Sequence, residues 1–337
     1  MEIVAYGVLK DEEPLLRAVF DRAFRGRHEL RCLELFLNRD TAPTAAGHEV
    51  VLCGANDTLD AEVLRTLAGG GTRMLAQRAT GFNNIDLTAA EALGLTVARV
   101  ASYSPYSVAE FAWALALAVD RRIVRAAGRT REFDFRLDGL MGRDLHGRTA
   151  GVVGTGRIGT AFARIAHGFG MRLLGWDVTE NPDCLALGMR YVEHEWLLAE
   201  ADVVSLHVPL LSNTHHLVDA EALALMKDDA ILINTSRGGL VDTDALLETL
   251  RAGRLGGVGL DVYEEEAGLF FLDKSLEVMT DERLARLMTF NNVLVTSHQA
   301  YFTRDAVEQI VETTARNVED YVAGRTGDNT LVPPPQS

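Results

Sequence analysis

Three things are scarce in this sequence: cysteine, long uncharged apolar runs and positive charge. Its three cysteines, Cys32, Cys53 and Cys184, form no CxxC pair, which argues against a disulfide framework or a cysteine-built zinc site and leaves them as small buried residues. The longest uncharged apolar run, residues 111–119, is nine residues long, against the ~20 that span a bilayer. The opening residues, MEIVAYGVLKDEE, lack a basic region followed by an apolar one, so a cytoplasmic protein without a signal peptide is expected. Lysine and arginine number 33 against 48 aspartates and glutamates, a formal net charge of −15. That balance disfavours nucleic acid and anionic membrane as partners, and it obliges any anionic substrate to be met by a local cation.

What is present is an alternation of apolar strands and amphipathic helices. The 337 residues suffice for roughly two domains of ~150 each. Residues 2–8, 28–35, 49–55, 72–79 and 95–100 read as strands, with helices at 13–25, from about 60 to 69, and at 87–93, where Asp86 is a natural N-cap and Gly94 a stop. A single long helix is predicted over 106–129. Its middle is apolar all round, as in a helix buried between domains or against a partner subunit. A second series follows, with strands at 149–153, 171–176, 190–192, 202–208, 230–235, 257–262 and 292–296 and helices at 195–200, 220–226 and 243–252. The strands are continuous apolar runs, as expected where both faces of a parallel sheet are covered, so the fold class is α/β. One more helix over 303–324 precedes a tail with three consecutive prolines that is expected to fray.

The second series opens on GTGRIG, with Gly154, Gly156 and Gly159 in GxGxxG spacing between a buried strand and a helix. A glycine turn there lets backbone amides and a helix N-terminus approach a pyrophosphate. The following strand ends at Asp177, 18 residues beyond Gly159, where a carboxylate can accept both ribose hydroxyls of an adenosine and repel a 2′-phosphate. Val178, Thr179 and Glu180 follow, with no cation to welcome that phosphate, so the expected cofactor is NAD rather than NADP.

Reactive residues in such sheets lie just past the C-terminal ends of strands. Three ends carry chemistry here: Ser236-Arg237-Gly238-Gly239, Tyr263-Glu264-Glu265-Glu266, and Ser297-His298-Gln299-Ala300. An arginine offers a planar fork for a carboxylate. A histidine suits proton exchange with a hydroxyl or carbonyl oxygen near neutral pH, and a carboxylate behind it would hold its ring. With NAD, the set describes hydride transfer at the carbon next to a carboxylate; chemistry alone does not choose among the three glutamates. Each residue also has a plain structural reading, as a surface ion pair, a core histidine or a solvated acidic turn. The case rests on their joint occurrence.

The segments GTGRIG with Asp177, ILINTSRGGLVDTDAL (231–246), GLDVYEEE (259–266), SHQAYFT (297–303), RATGFNNIDL (78–87) and YSPYSVAE (103–110) resemble the D-isomer-specific 2-hydroxyacid dehydrogenases. YEEEAGLFFLDKS (263–275) is similar to a segment of the bacterial fermentative D-lactate dehydrogenase branch. The resemblance implies two Rossmann-like domains with parallel sheets: a flavodoxin-like substrate domain made of residues 1–100 and 299–337, and an NAD-binding domain, 101–298, inserted between. It implies that Arg237 binds the 2-oxo acid carboxylate, that His298 is the general acid and base, and that Glu266 is its partner. Thr80 and Gly81 would hold the carboxylate through their amides, and Tyr103 and Tyr301 would line the substrate pocket. Val208, Pro209, Thr235 and Asp261 would touch NAD beside Gly154, Thr155, Gly156, Arg157, Ile158, Gly159 and Asp177. Phe111 departs from the histidine that many relatives carry after VAE. The implied activity is reduction of a small 2-oxo acid, pyruvate first, by a homodimer or homotetramer. Larger 2-oxo acids, with pocket size set by Cys53, Tyr103 and Tyr301, or an NAD-sensing co-repressor, are the alternatives. No metal is expected: His215 and His216 are adjacent and read as pointing to different sides, and His207 reads as structural.

Overall fold

Strand runs rich in Val, Ile and Leu, each followed by a helix with one apolar face, set the element order of the computed structural model, which describes residues 1–335. The first part runs β1 (Glu2–Ala5), α1 (Glu13–Phe24), β2 (Glu29–Cys32), β3 (Val50–Cys53), α2 (Ala61–Gly69), β4 (Met74–Gln77), α3 (Leu87–Ala92) and β5 (Thr96–Arg99). Next come α4 (Pro105–Asp120), α5 (Ile123–Arg131), β6 (Thr149–Val153), α6 (Arg157–Gly168), β7 (Arg172–Trp176), α7 (Pro182–Ala186), β8 (Arg190–Tyr191), α8 (His194–Glu200) and β9 (Val203–Leu206). The chain continues through α9 (Ala220–Leu225), β10 (Ile231–Asn234), α10 (Thr243–Arg251), β11 (Gly257–Leu260), α11 (Glu282–Leu287), β12 (Val293–Val295), α12 (Arg304–Val322) and β13 (Thr330–Val332).

These elements divide into two compact units. One comprises Met1–Ser104 and the chain from Thr303 onward; the other is Pro105–Phe302. The first holds a six-stranded sheet in the order β13-β5-β4-β3-β1-β2. Its strands pair in parallel except β13, which is antiparallel to β5. One face is covered by an apolar cluster that includes Leu59, Val63, Leu64 and Leu67, the other by one in which Leu16, Val19 and Phe20 of α1 meet Val307, Val311, Ala315 and Val318 of α12. Both chain segments are thus needed to cover one sheet.

The second unit holds a seven-stranded, all-parallel sheet in the order β12-β11-β10-β9-β6-β7-β8. Apolar clusters lie on both faces. The order reverses between β6 and β9, and that is where open α/β sheets bind ligands.

Three sequence expectations are corrected. The helix expected over 106–129 is two helices, because Arg122 adopts a left-handed backbone (φ 54°) between α4 and α5 while its guanidinium donates to the carbonyls of Val119 and Gly256. One side of the apolar middle of α4 packs within its own unit, where Trp113 stacks on Phe162 of α6 at 4.5 Å and donates to its carbonyl, while Phe111, Leu117 and Ala118 are half-buried and Ala114 is exposed. Strand β12 is only half-buried, since it forms the sheet's edge. The tail is tied in as far as Val332, which is buried where β13 pairs with β5; Gln336 and Ser337 lie outside the described residues. Two short helices, α7 and α11, were not read from the sequence, although Asn181-Pro182-Asp183 carries a cap signature, with the Asn181 side chain accepting the Asp183 amide.

Candidate active site

The glycine turn joins β6 to α6, and its glycines serve different ends. Gly154 has φ 92°, and a Cβ there would lie 2.8 Å from the His207–Val208 backbone; at Gly159 it would lie 1.9 Å from the Gly154 carbonyl oxygen. Gly156, the N-cap of α6, faces open space and brings no capping side chain. The amides of Gly156, Arg157 and Ile158 consequently have no acceptor among the described residues, which leaves a helix N-terminus ready for an anion. Asp177, at the end of β7, accepts the Thr155 amide at 2.6 Å on one oxygen and the Val178 amide at 2.7 Å on the other. Thr155 is fixed in turn by Tyr191, which donates to its hydroxyl at 2.7 Å, and by Asn181, which donates to its carbonyl at 2.7 Å. Sequence reasoning passed over both residues, because nothing in their spacing ties them to the turn.

On the same rim the loops after β10, β11 and β12 are laced together. The Asn234 side chain takes the Ser236 amide and donates to the Arg237 carbonyl, which fixes the turn that carries Arg237. Arg237 is half-buried, its guanidinium donates to the Ser236 carbonyl at 2.7 Å, and it has no ion-pair partner among the described residues. Gly238 meets the backbone of the next loop so closely that a Cβ would lie 2.0 Å from the Tyr263 carbonyl carbon. Of the three glutamates, it is Glu266 that reaches His298, at 2.8 Å from Nδ1; its other oxygen accepts the Tyr263 amide. Glu264 turns to His216 and Glu265 to Arg283. His298 sits in a left-handed conformation (φ 55°), and its amide donates to the Asp261 carbonyl.

Asp261, expected from the sequence to touch the cofactor, braces this loop in the structure. Its carboxylate accepts the Thr296 hydroxyl at 2.5 Å and the amides of Gln299 and Ala300. Burial pushes the Asp261 carboxyl above its usual range, although these hydrogen bonds and the nearby His298 pull it down. Val208 is buried and its carbonyl accepts the Ser236 hydroxyl, while Pro209 is exposed. The buried Thr235 hydroxyl has no hydrogen-bond partner among the described residues. Tyr301 is half-buried and packs edge-on against Phe302.

In the first unit, Thr80 and Gly81 follow β4. Arg99 donates to the Thr80 carbonyl and Gln77 to that of Gly81, while the amides of both residues lack an acceptor among the described residues. Tyr103 is half-buried, just past β5, and Cys53 is fully buried.

Among the remaining histidines, burial holds the His207 ring down to about 3, so it is neutral, and it lies against Phe162. His215 and His216 do not point apart as expected. Their rings stack at 3.9 Å, because His216 has φ 52° and the chain there is not extended.

A sequence model of the D-isomer specific 2-hydroxyacid dehydrogenase NAD binding domain matches residues 113–300. The chain belongs to this family. It is 49% identical over 317 residues to 2-hydroxyacid dehydrogenase A of Aspergillus oryzae, covering 93% of this chain and 91% of that one. It is 45% identical over 304 residues to the D-lactate dehydrogenase of Escherichia coli, covering 90% and 92%. The apo-structure of the Escherichia coli D-lactate dehydrogenase superposes with a TM-score of 0.89 at 40% identity, covering 98% of this chain and all of that one. The dehydrogenase is therefore an NAD-dependent oxidoreductase acting on the CH–OH group of D-2-hydroxy acids, and its substrates are small 2-oxo and 2-hydroxy acids. The uncapped α6 N-terminus, the Gly156 opening, Asp177 and the unpaired Thr235 hydroxyl suit a dinucleotide. Among the described residues, no helix is long and apolar enough to cross a membrane.

Proposed function

We propose that the enzyme reduces pyruvate to D-lactate with NADH, as a cytoplasmic homodimer. The observation that carries the chemistry is the His298–Glu266 contact on the same sheet rim as Arg237, which has no ion-pair partner among the described residues. An ionised Glu266 only accepts hydrogen bonds, so His298 presents N–H at Nδ1 and keeps Nε2 for proton exchange. In this reading His298 delivers the proton to the carbonyl oxygen during reduction and takes it back during oxidation, and Glu266 holds the ring. Arg237 binds the substrate carboxylate in a bidentate fork and draws electron density from the carbonyl.

The amides of Thr80 and Gly81 share the carboxylate, and Tyr103 and Tyr301 line the substrate site. Gly154, Thr155, Gly156, Arg157, Ile158 and Gly159 hold the pyrophosphate, Asp177 the ribose, and Val208, Pro209, Thr235 and Asp261 the remainder of the cofactor. Bound NADH supplies the hydride. Residues 1–100 and 299–337 would form the substrate domain and 101–298 the NAD domain. Pyruvate is favoured because the Escherichia coli relative is named a D-lactate dehydrogenase. The dimer is favoured by Phe133, Phe135, Leu137 and Met141, each at least 69% exposed just beyond α5. Steady-state rates with pyruvate, phenylpyruvate and 2-oxoisocaproate test the assignment: pyruvate should give the highest kcat/KM, and pyruvate as the poorest of the three would overturn it.

A further inference from the structure

The loop leaving β9 carries two adjacent histidines, His215 and His216, and the structure gives them a setting that the dehydrogenase chemistry does not use. A turn closed by Thr214, whose hydroxyl takes the Leu211 amide and donates to the Pro209 carbonyl, ends at His215. The left-handed backbone of His216 then folds the two rings against each other instead of alternating them. Its amide is anchored to the Gly239 carbonyl at 2.8 Å, and the His215 ring lies beside Gly239, whose missing Cβ would sit 3.6 Å from the ring's Cδ2. From the loop after β11, Glu264 reaches the His216 Nε2 at 2.6 Å. One ring nitrogen of each histidine and one Glu264 oxygen lie within 4.8 Å of one another, the one such cluster of potential metal ligands among the described residues.

We propose that His215, His216 and Glu264 form a binding site for a divalent transition metal ion, Zn²⁺ in particular. Two imidazoles and one carboxylate suit zinc rather than the hard cations Mg²⁺ and Ca²⁺, which take oxygen ligands, and three protein ligands leave a fourth position for water. Tetrahedral bonds of about 2.0–2.1 Å place donor atoms about 3.3 Å apart, so the cluster has to contract. The exposed His215 side chain, with no hydrogen bond of its own among the described residues, is free to close that gap. A second carboxylate completes the environment. Asp242 Oδ2 lies 3.8 Å from the other ring nitrogen of His216, on the side where a metal-ligating imidazole gives its N–H to an acceptor. The alternative, a plain His216–Glu264 hydrogen bond, has no need of His215 stacked against it.

The ion would join the loop after β9 to the turn that carries Glu266, without touching His298 or Arg237. The test titrates the full-length enzyme with Zn²⁺ against a chromophoric chelator and with Co²⁺ in the visible range, using the wild type, His215→Ala, Glu264→Gln and His298→Ala. The expected result is one Zn²⁺ per chain, tetrahedral Co²⁺ bands in the wild type, and affinity at least tenfold weaker in both His215→Ala and Glu264→Gln. His298→Ala should bind as the wild type does. Metal-free turnover of His215→Ala should equal that of the wild type, which reports that the variant is folded. Absence of binding, affinity retained in His215→Ala or Glu264→Gln, or affinity lost only in His298→Ala would each overturn the site.

Discussion

The backbone carbonyl of Asp261 accepts the amide of His298 at 2.6 Å, while the Asp261 side chain gathers Thr296, Gln299 and Ala300 around the same loop. The acid at the end of β11 therefore sets where the imidazole at the end of β12 stands. Asp261→Asn replaces one carboxylate oxygen by a donor, facing either the Ala300 amide or the donors from Thr296 and Gln299. Displacement of a catalytic group by about 1 Å can cost ~10²-fold, so kcat/KM for the 2-oxo acid should fall ~10- to 100-fold with His298 still in place. An unchanged value would show that the loop holds its shape without this brace.

Replacing His298 by alanine should lower turnover ~10²- to 10⁴-fold while NADH binding, followed by fluorescence, persists. Glu266→Gln keeps an oxygen for the Tyr263 amide but loses the charge beside Nδ1, so its loss should be smaller. Equal rates for wild type and His298→Ala would remove the histidine from its role.

Arg237→Lys keeps the charge and loses the fork. Hydrogen bonds between charged groups contribute roughly 1.5–3 kcal/mol, so KM for the 2-oxo acid should rise ~10- to 100-fold. A KM within twofold of the wild type would place the substrate carboxylate elsewhere.

Asp177→Asn retains an oxygen for the Thr155 amide but no longer repels a 2′-phosphate. The preference for NADH over NADPH, measured as a ratio of kcat/KM values, should fall by about tenfold or more. A constant ratio would mean that another group reads the ribose.

His207 bears on acid stability. Burial holds the folded-state ring down to about 3, whereas an unfolded imidazole titrates near ~6.5. Between these values the unfolded chain takes up a proton that the folded chain refuses, so this contribution is intact above about 6.5 and is lost as the pH falls, by at most ~1.4 kcal/mol per pH unit. The drop in melting temperature of the second unit from pH 7.5 to 5 should be smaller in His207→Gln. Asp57, in the first unit, works in the opposite sense. Burial raises its carboxyl to about 6, against hydrogen bonds from the Gly54 and Leu37 amides, so the folded chain takes up a proton there first.

Much of this was legible in the sequence because the signals were local. Buried strands are apolar runs, Asp86 caps a helix as expected, and Gly154 and Gly159 mark a turn with no room for side chains. What escaped depends on backbone conformations that no residue type announces. The left-handed Arg122 breaks a helix whose apolar pattern continues, and the left-handed His216 brings together rings that an extended chain would separate. The choice of Glu266 among three consecutive glutamates came from resemblance, and only the folded turn sends the other two to His216 and Arg283. Strand β13 was hidden by the prolines that follow it.

The interrupted path of the first unit has a consequence for biosynthesis. The sheet that begins at β1 receives its α12 cover and its β13 edge only after about 200 further residues have been made. At ~5–20 residues per second the ribosome takes about 10–40 s over that stretch. The second unit is completed meanwhile, and the face of the nascent N-terminal sheet that α1 covers only in part stays incomplete until Val307, Val311, Ala315 and Val318 emerge.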